Sequence, residues 1–337
     1  MRRSSQRGFS LMEVTVVLAI VSGLMIIVYS LIEETMQMSM FTESHNDLAI
    51  MSQSAVNTMQ TGILQTKVAF EENTVGRAYR SALVMPTGIT VWTNSLLPIF
   101  DATGEIEPDP TTQRYTGNSM LLARQLAPLA ITYDHDNNSG TPEIEFLADR
   151  YRFDYFYLAR GSTVSFSGSG MTLDLMTCTS GEYVDYFQIS SMGSFATRRI
   201  VLKLIAAGLT HAWNPGQPVD NSFYTLAGAT DGTFDPSLRN PTIPTVSNQT
   251  LLRGLMGGRI SGRMNYSIAF GTHPIPTPVR VFAQPIPASP GFPSGFEVKV
   301  AGPTRNRKVM TRVVLMSHYG VSRYESQQAF VVTAARF

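Results

Sequence analysis

Between Val14 and Ile32 the chain runs for nineteen residues without a charge. At ~1.5 Å per residue, such a run reaches as a helix across a hydrocarbon core of ~30 Å. Three arginines, Arg2, Arg3 and Arg7, precede Gly8 with no acid among them, and one acid, Glu13, stands at the mouth of the run. A carboxylate in hydrocarbon is costly unless it is paired. Glu13 therefore needs a partner, and the neighbouring sequence offers no evident one. Positive residues remain on the cytoplasmic side of a span, so the arginines place the amino terminus in the cytoplasm and the rest of the chain beyond the membrane.

No proline occurs from Phe9 to Gln65. Past the span, Phe41, Leu48, Met51, Ala55, Met59 and Ile63 recur at helical spacing, with Glu43, Asn46, Asp47, Ser54 and Asn57 on the opposite face. That is one stripe of an amphipathic helix. The pattern predicts a single helix of roughly 57 residues, about 85 Å long. Ser22-Gly23 is its weakest point, because glycine lowers helix propensity by about 1 kcal/mol. Met36, Met38, Met40, Met51 and Met59 read as adaptable packing.

The stretch Gly8-Phe9-Ser10-Leu11-Met12-Glu13-Val14, followed by the charge-free span, resembles the cleavage and methylation motif of type IV prepilins and pseudopilins. The resemblance implies that a prepilin peptidase cuts between Gly8 and Phe9 on the cytoplasmic side and methylates Phe9. It implies further that Glu13 takes the family's acidic position and pairs, during assembly, with the Phe9 amine of a neighbouring subunit. The chemistry is consistent with this. A glycine before the cut enters a protease cleft without side-chain clash. Opposite charges attract far more strongly in a low-dielectric site than in water, and a register that leaves either one bare is penalised. The pair thus selects register. A secretory signal peptide has a shorter apolar region of ~7–15 residues and a small-x-small cleavage site, whereas here Glu33-Glu34-Thr35-Met36 follows the span. An uncut anchor explains the apolar run but not the pattern from Gly8 to Glu13.

The resemblance implies a leader at 1–8, a membrane-spanning helix half at 9–32, an amphipathic half at 33–70 and a head at 71–337. The fold class expected is α+β: a pilin-like lollipop, one long amino-terminal helix packed on a large antiparallel β-rich head. Size and an acidic strand–turn–strand also resemble the larger-headed minor pilins called PilW- or PulJ-like. The expected role is that of a structural subunit, a minor pilin, with other pilin or pseudopilin subunits and an inner-membrane assembly platform as partners. It sits in the inner membrane as a single-pass protein before assembly, and in a periplasmic or cell-surface filament afterwards. A type II secretion pseudopilin, and an adhesin or DNA-uptake pilin with a ligand-binding head, are the alternatives.

Within the head, the sequence predicts strands at Thr87–Trp92, Thr163–Phe166, Met171–Cys178, Tyr183–Ser190, Thr197–Ile205, Val279–Ala283, Phe296–Val300, Val309–His318 and Ala329–Ala334. An aromatic strand covers Tyr151–Leu158. Met120–Ala127 reads as a short helix ended by Pro128, residues 209–250 as an irregular excursion, and Arg253–Phe270 as strand-like. The 26 basic residues fall to 23 without the leader arginines and face 25 acidic ones. Charge therefore gives no drive toward nucleic acid. The lone cysteine, Cys178, cannot close an intrachain disulfide and reads as a small buried hydrophobe.

Asp134, Asp136 and Asn138 alternate, and Glu145 lies at the twelfth position, the oxygen-ligand spacing of a calcium loop. Ser139 stands where such a loop needs glycine, and short acidic residues also build ordinary turns. The structural turn is the favoured reading and calcium the minor one; no other cofactor is indicated. No catalytic signature such as H-E-x-x-H, C-x-x-C or G-x-S-x-G occurs, and His45, His135, His211, His273 and His318 are scattered. Gly254, Gly257, Gly258 and Gly262 with Arg253, Arg259 and Arg263 read as a hairpin rather than an anion loop. No enzymatic activity is expected.

Overall fold

The computed structural model describes residues 10–91, 95–102, 117–134, 143–160, 173–206, 208–209, 211–226, 242–252, 256–259, 262–268, 295–319 and 323–337. Helix α1 runs over Leu11–Leu64, 54 residues, or about 81 Å at 1.5 Å per residue. It is continuous through Ser22-Gly23 and stops short of residue 70, because Thr66 already opens a strand. The chain divides into two compact units, Met1–Asp47 and Leu48–Phe337. In the first, every residue from Leu11 to Ile32 is exposed. The expected stripe is buried only in the second unit. There Leu48, Ala55, Met59 and Ile63 are fully buried, joined by Ser52 and Val56, while Phe41 in the first unit is 54% exposed.

β1 (Thr66–Ala69) is followed by α2 (Thr74–Ala82), a helix the apolar pattern did not reveal. Asn73 caps it, its side chain accepting the Gly76 N–H at 2.8 Å. A Cβ at Gly76 would collide with the Glu71 carbonyl oxygen, so the first turn of α2 requires glycine. After β2 (Leu83–Val84), the strand expected at Thr87–Trp92 is instead a turn with Gly88 at φ +85°. Only a bridge from Val91 to Ala159 remains of it, and Trp92 lies outside the described residues.

After β3 (Phe100–Asp101), Met120–Ala127 proves to be the start of a strand, β4 (Met120–Tyr133), not a helix. Residues 120–123 are buried on both faces of a sheet, which gives an unbroken apolar run rather than an alternation. Pro128 does not end the strand. The register slips between Leu126 and Leu129, so the missing N–H falls in a bulge. β4 pairs with β5 (Ile144–Arg160), the expected aromatic strand, and β5 with β6 (Leu173–Asp185).

Strand character at Tyr183 ends at Asp185, whose carboxylate caps α3 (Tyr186–Ser190) by accepting the Gln188 N–H at 3.1 Å. The strand expected at Thr197–Ile205 is α4 (Phe195–Ala206). Ser194 caps it, and Val201, Leu202 and Ile205 are buried at helical spacing. Its isoleucine and valine suggested β-structure, but tertiary packing overrides that weak preference. The excursion over 209–250 carries β7 (His211–Trp213), a 3-10 turn at Val219–Asn221, β8 (Phe223–Thr225) and most of β9 (Ile243–Leu252). β10 (Met256–Arg259), β11 (Gly262–Ile268), β12 (Phe296–Ala301), β13 (Arg307–Tyr319) and β14 (Arg323–Ala335) follow. The expected strands at Thr163–Phe166 and Val279–Ala283 lie outside the described residues.

Among the described residues the strands form two sheets. The first has the order β1-β4-β5-β6-β7-β8, with β9 also on β6 and β2 on β9. The second has the order β10-β11-β13-β12-β3, with β14 also on β13. Most pairs are antiparallel; β2–β9, β6–β7 and β3–β12 are parallel. The α+β class is therefore as expected, with a large, mainly antiparallel β-region. Alternation along β5 divides the core. Phe156 and Leu158 join Leu48, Met59 and Ile63 of α1 and Val298 and Val313 of the second sheet. Tyr151, Phe153, Tyr155 and Tyr157 face the opposite way, onto Tyr79, Trp213 and Phe223.

Two carboxylates are buried with arginines. Glu297 and Arg312 are cross-strand partners, 3.2 Å apart. Asp154 lies 3.0 Å from both Arg124 and Arg152. Burial pushes Glu297 up to about 7, against the pull of Arg312, and Asp154 up to about 6, against that of Arg152. The fold therefore holds both protons at a pH where the unfolded chain has released them. Their contribution favours folding below about pH 4 and is lost as pH rises through about 6 and about 7, on the order of 3 kcal/mol each. Melting temperatures should be higher at pH 5 than at pH 7.5, and Glu297→Gln should flatten that profile. Stability rising across the same interval, unchanged in the variant, would contradict this account.

Candidate functional site

The chemistry-bearing end of α1 begins at Ser10, the residue before the helix. The Glu13 N–H donates to Ser10 Oγ at 3.3 Å, and the Ser10 N–H donates to Glu13 Oε2 at 2.9 Å. This reciprocal pair is a capping box. It also sets a negative charge against the positive end of the helix dipole. Glu13 thus finds a partner within its own chain, which the sequence reading missed. The signal in the sequence is Ser10-x-x-Glu13, the spacing of a capping box.

The exposed half of α1 is built for an apolar solvent. Apart from Thr15, Ser22 and Ser30, its side chains from Val14 to Ile32 are apolar on every face, as in a span rather than a surface helix. The Thr15 hydroxyl donates to the Leu11 carbonyl at 2.8 Å and that of Thr35 to the Leu31 carbonyl at 2.7 Å. The Thr15 bond leaves its hydroxyl satisfied within the charge-free stretch, and Thr35 lies beyond Glu33 and Glu34, outside it. Among the described residues, α1 is the one helix long and apolar enough to cross a membrane. Gly8 and Phe9 lie outside the described residues.

The calcium candidate is only partly covered. Strands β4 and β5 pair up to Tyr133 and Ile144, which gives the expected strand, connection and strand. Asp134 is half-buried beyond β4, and Glu145 is exposed opposite Thr132. Asp136 and Asn138 lie outside the described residues. Among the described residues no group of three or more histidine, cysteine or acidic side chains is placed to hold a metal.

The aromatic run along β5 is packed core. Trp213 Nε1 donates to the Tyr79 hydroxyl at 3.1 Å, which donates to the Gln217 carbonyl at 3.1 Å, and the Tyr151 hydroxyl donates to Asp185 at 3.0 Å. These bonds satisfy the polar ends of buried rings. Cys178 is buried, and burial with the nearby Asp154 charge pushes its thiol up to about 12. It is therefore unreactive. Arg259 pairs with Gly262 where β10 meets β11, so the glycine- and arginine-rich segment is a hairpin.

No protein-family model, curated protein or solved structure matches this chain.

Proposed function

We propose that this chain is a structural subunit, of the minor type, in a type IV pilus-like filament. A prepilin peptidase releases residues 1–8 and methylates Phe9. The span of α1 then stores the subunit in the inner membrane until an assembly platform extracts it. The observation that carries this reading is the position of Glu13: one carboxylate at the mouth of an exposed, charge-free helical stretch, four residues after the phenylalanine of a glycine–phenylalanine step. Within a bundle of such helices, the Phe9 amine of a neighbour supplies the opposite charge.

The capping box refines this picture. A carboxylate accepts at both oxygens. Oε2 keeps the bond to the Ser10 N–H, and Oε1 is offered to the neighbour's amine. The cap lowers the cost of carrying Glu13 in the membrane before a partner arrives. A head of this size fits a subunit used sparingly, since bulky heads crowd at a small helical rise.

Sheared surface filaments should contain this chain as a minor component, and a deletion strain should lose or shorten its filaments. Its absence from every filament fraction would count against the proposal. Loss of protein secretion with intact pili in the deletion strain would move the chain to the type II secretion pseudopilins, which share the same assembly physics.

A further inference from the structure

Strand β14 is the long edge of the second sheet. β13 offers two edges. On one, β12 takes residues 308–313 and β11 continues along residues 315–319; β14 pairs along the whole of the other. Among the described residues β14 pairs with β13 alone. Beyond that pairing, no described residue makes a main-chain bond to Ala329 or to residues 331–335. Val332 is 44% exposed and Ala334 is exposed as well, so this part of the strand meets solvent.

Proteins ordinarily guard such an edge by keeping it short, or with charges, proline or a bulge, because its unpaired N–H and C=O groups accept another strand. β14 lacks these guards over most of its length. It has 13 residues, its register with β13 runs without a bulge, and residues 326–335 contain neither charge nor proline. Phe330, Val331, Val332 and Thr333 are strong strand formers. Charges stand only at the ends, Arg323 and Glu325 at the start and Arg336 just past the last residue.

These end charges select the occupant. Laid antiparallel on a second copy, in a register centred on Phe330, Glu325 falls opposite the partner's Ala335 and next to the partner's Arg336. The two-fold axis repeats this at the other end. In-register parallel pairing would instead set Arg336 beside the partner's Arg336. The same strand supplies both halves of the antiparallel contact, so the assembly closes at two copies.

We propose that β14 is a self-association edge through which two copies of this chain join antiparallel, Gln328 opposite the partner's Val332. Main-chain bonds supply the affinity and the end charges the direction. A two-fold axis normal to the sheet reverses every direction in its plane, including that of residues 48–64 of α1, which pack against it. The two copies therefore have oppositely running helices and are anchored apart, rather than side by side in one bilayer. The inference is independent of the filament proposal, since it needs neither cleavage at Gly8 nor a charge at Glu13.

The test uses the full chain in detergent, where each span has its own micelle. Sedimentation equilibrium from about 1 to about 100 µM should show a monomer–dimer step. Gln328→Lys combined with Val332→Lys sets like charges opposite each other twice and should weaken the dimer about tenfold or more, whereas Gln328→Glu combined with Val332→Lys should restore it. Gln328→Cys mixed with Val332→Cys should give an intermolecular disulfide that neither variant forms by itself; the native Cys178 is buried and stays out of the reaction. A monomer at every concentration would overturn the proposal. A dimer that the two lysines leave intact, that the glutamate–lysine combination fails to restore, or that does not cross-link in the mixture would overturn it in favour of another surface.

Discussion

If the proposed filament role holds, Glu13→Val should remove the chain from filaments while leaving membrane insertion and the proposed cleavage after Gly8 intact. The valine is apolar, so the span inserts at least as readily. What is lost is the carboxylate proposed to meet a neighbour's amine. Removing one member of a buried pair costs about 3–5 kcal/mol, on the order of 10²-fold or more in an association constant. The capping box between Ser10 and Glu13 raises a rival explanation, that Glu13 serves only to start the helix. Glu13→Gln separates the two. Glutamine can still close a capping box, but it carries no charge. If pairing is the role, the glutamine variant fails to assemble almost as completely as valine. Ser10→Ala, which weakens the cap by roughly 0.5–2 kcal/mol, assembles with a modest deficit. Normal incorporation of Glu13→Gln together with failure of Ser10→Ala would assign Glu13 to capping. Quantifying filament-associated against membrane-associated protein measures all three.

Phe153→Ala should unfold much of the second unit. The Phe153 ring lies 5.0 Å from Trp213, 5.4 Å from Tyr183 and 5.8 Å from Phe223, and the residue is fully buried. Deleting a buried phenyl costs about 3–5 kcal/mol, a large part of the ~5–15 kcal/mol that holds a domain together. The variant should lose its near-ultraviolet aromatic signal at a far lower temperature than the parent. Phe153→Leu keeps more of the volume and should lose much less. A melting transition of Phe153→Ala within a degree or two of the parent would show that the aromatic cluster is not the second unit's core.

The long helix was legible because nothing competes with its signal. No proline interrupts it, its first half is uniformly apolar, and its second half keeps a clean stripe from Leu48 to Ile63. The stripe's expected start at Phe41 failed because burial depends on having a partner, which spacing alone does not disclose. β5 and the terminal strands β12 to β14 were legible through their aromatic and β-branched residues. Met120–Ala127 misled because leucine and alanine favour helices, while a strand buried on both faces has no alternation to reveal it. Thr197–Ile205 misled in the opposite direction. Its deciding feature was Ser194, a one-residue cap just outside the apolar run. At the amino end the acid at Glu13 was legible, but its bond to Ser10 was masked by the apolar run beside it, which draws attention to the charge rather than to the Ser10-x-x-Glu13 spacing.

Mass spectrometry of the chain isolated from its native membrane, with sequencing of its amino terminus, tests the account at its root. The account predicts a protein that begins at Phe9 and is one methyl group heavier than simple cleavage would leave it. A mature protein still carrying Arg2, Arg3 and Arg7 would contradict it, because no free amine would then exist at Phe9 for a neighbour's Glu13 to meet.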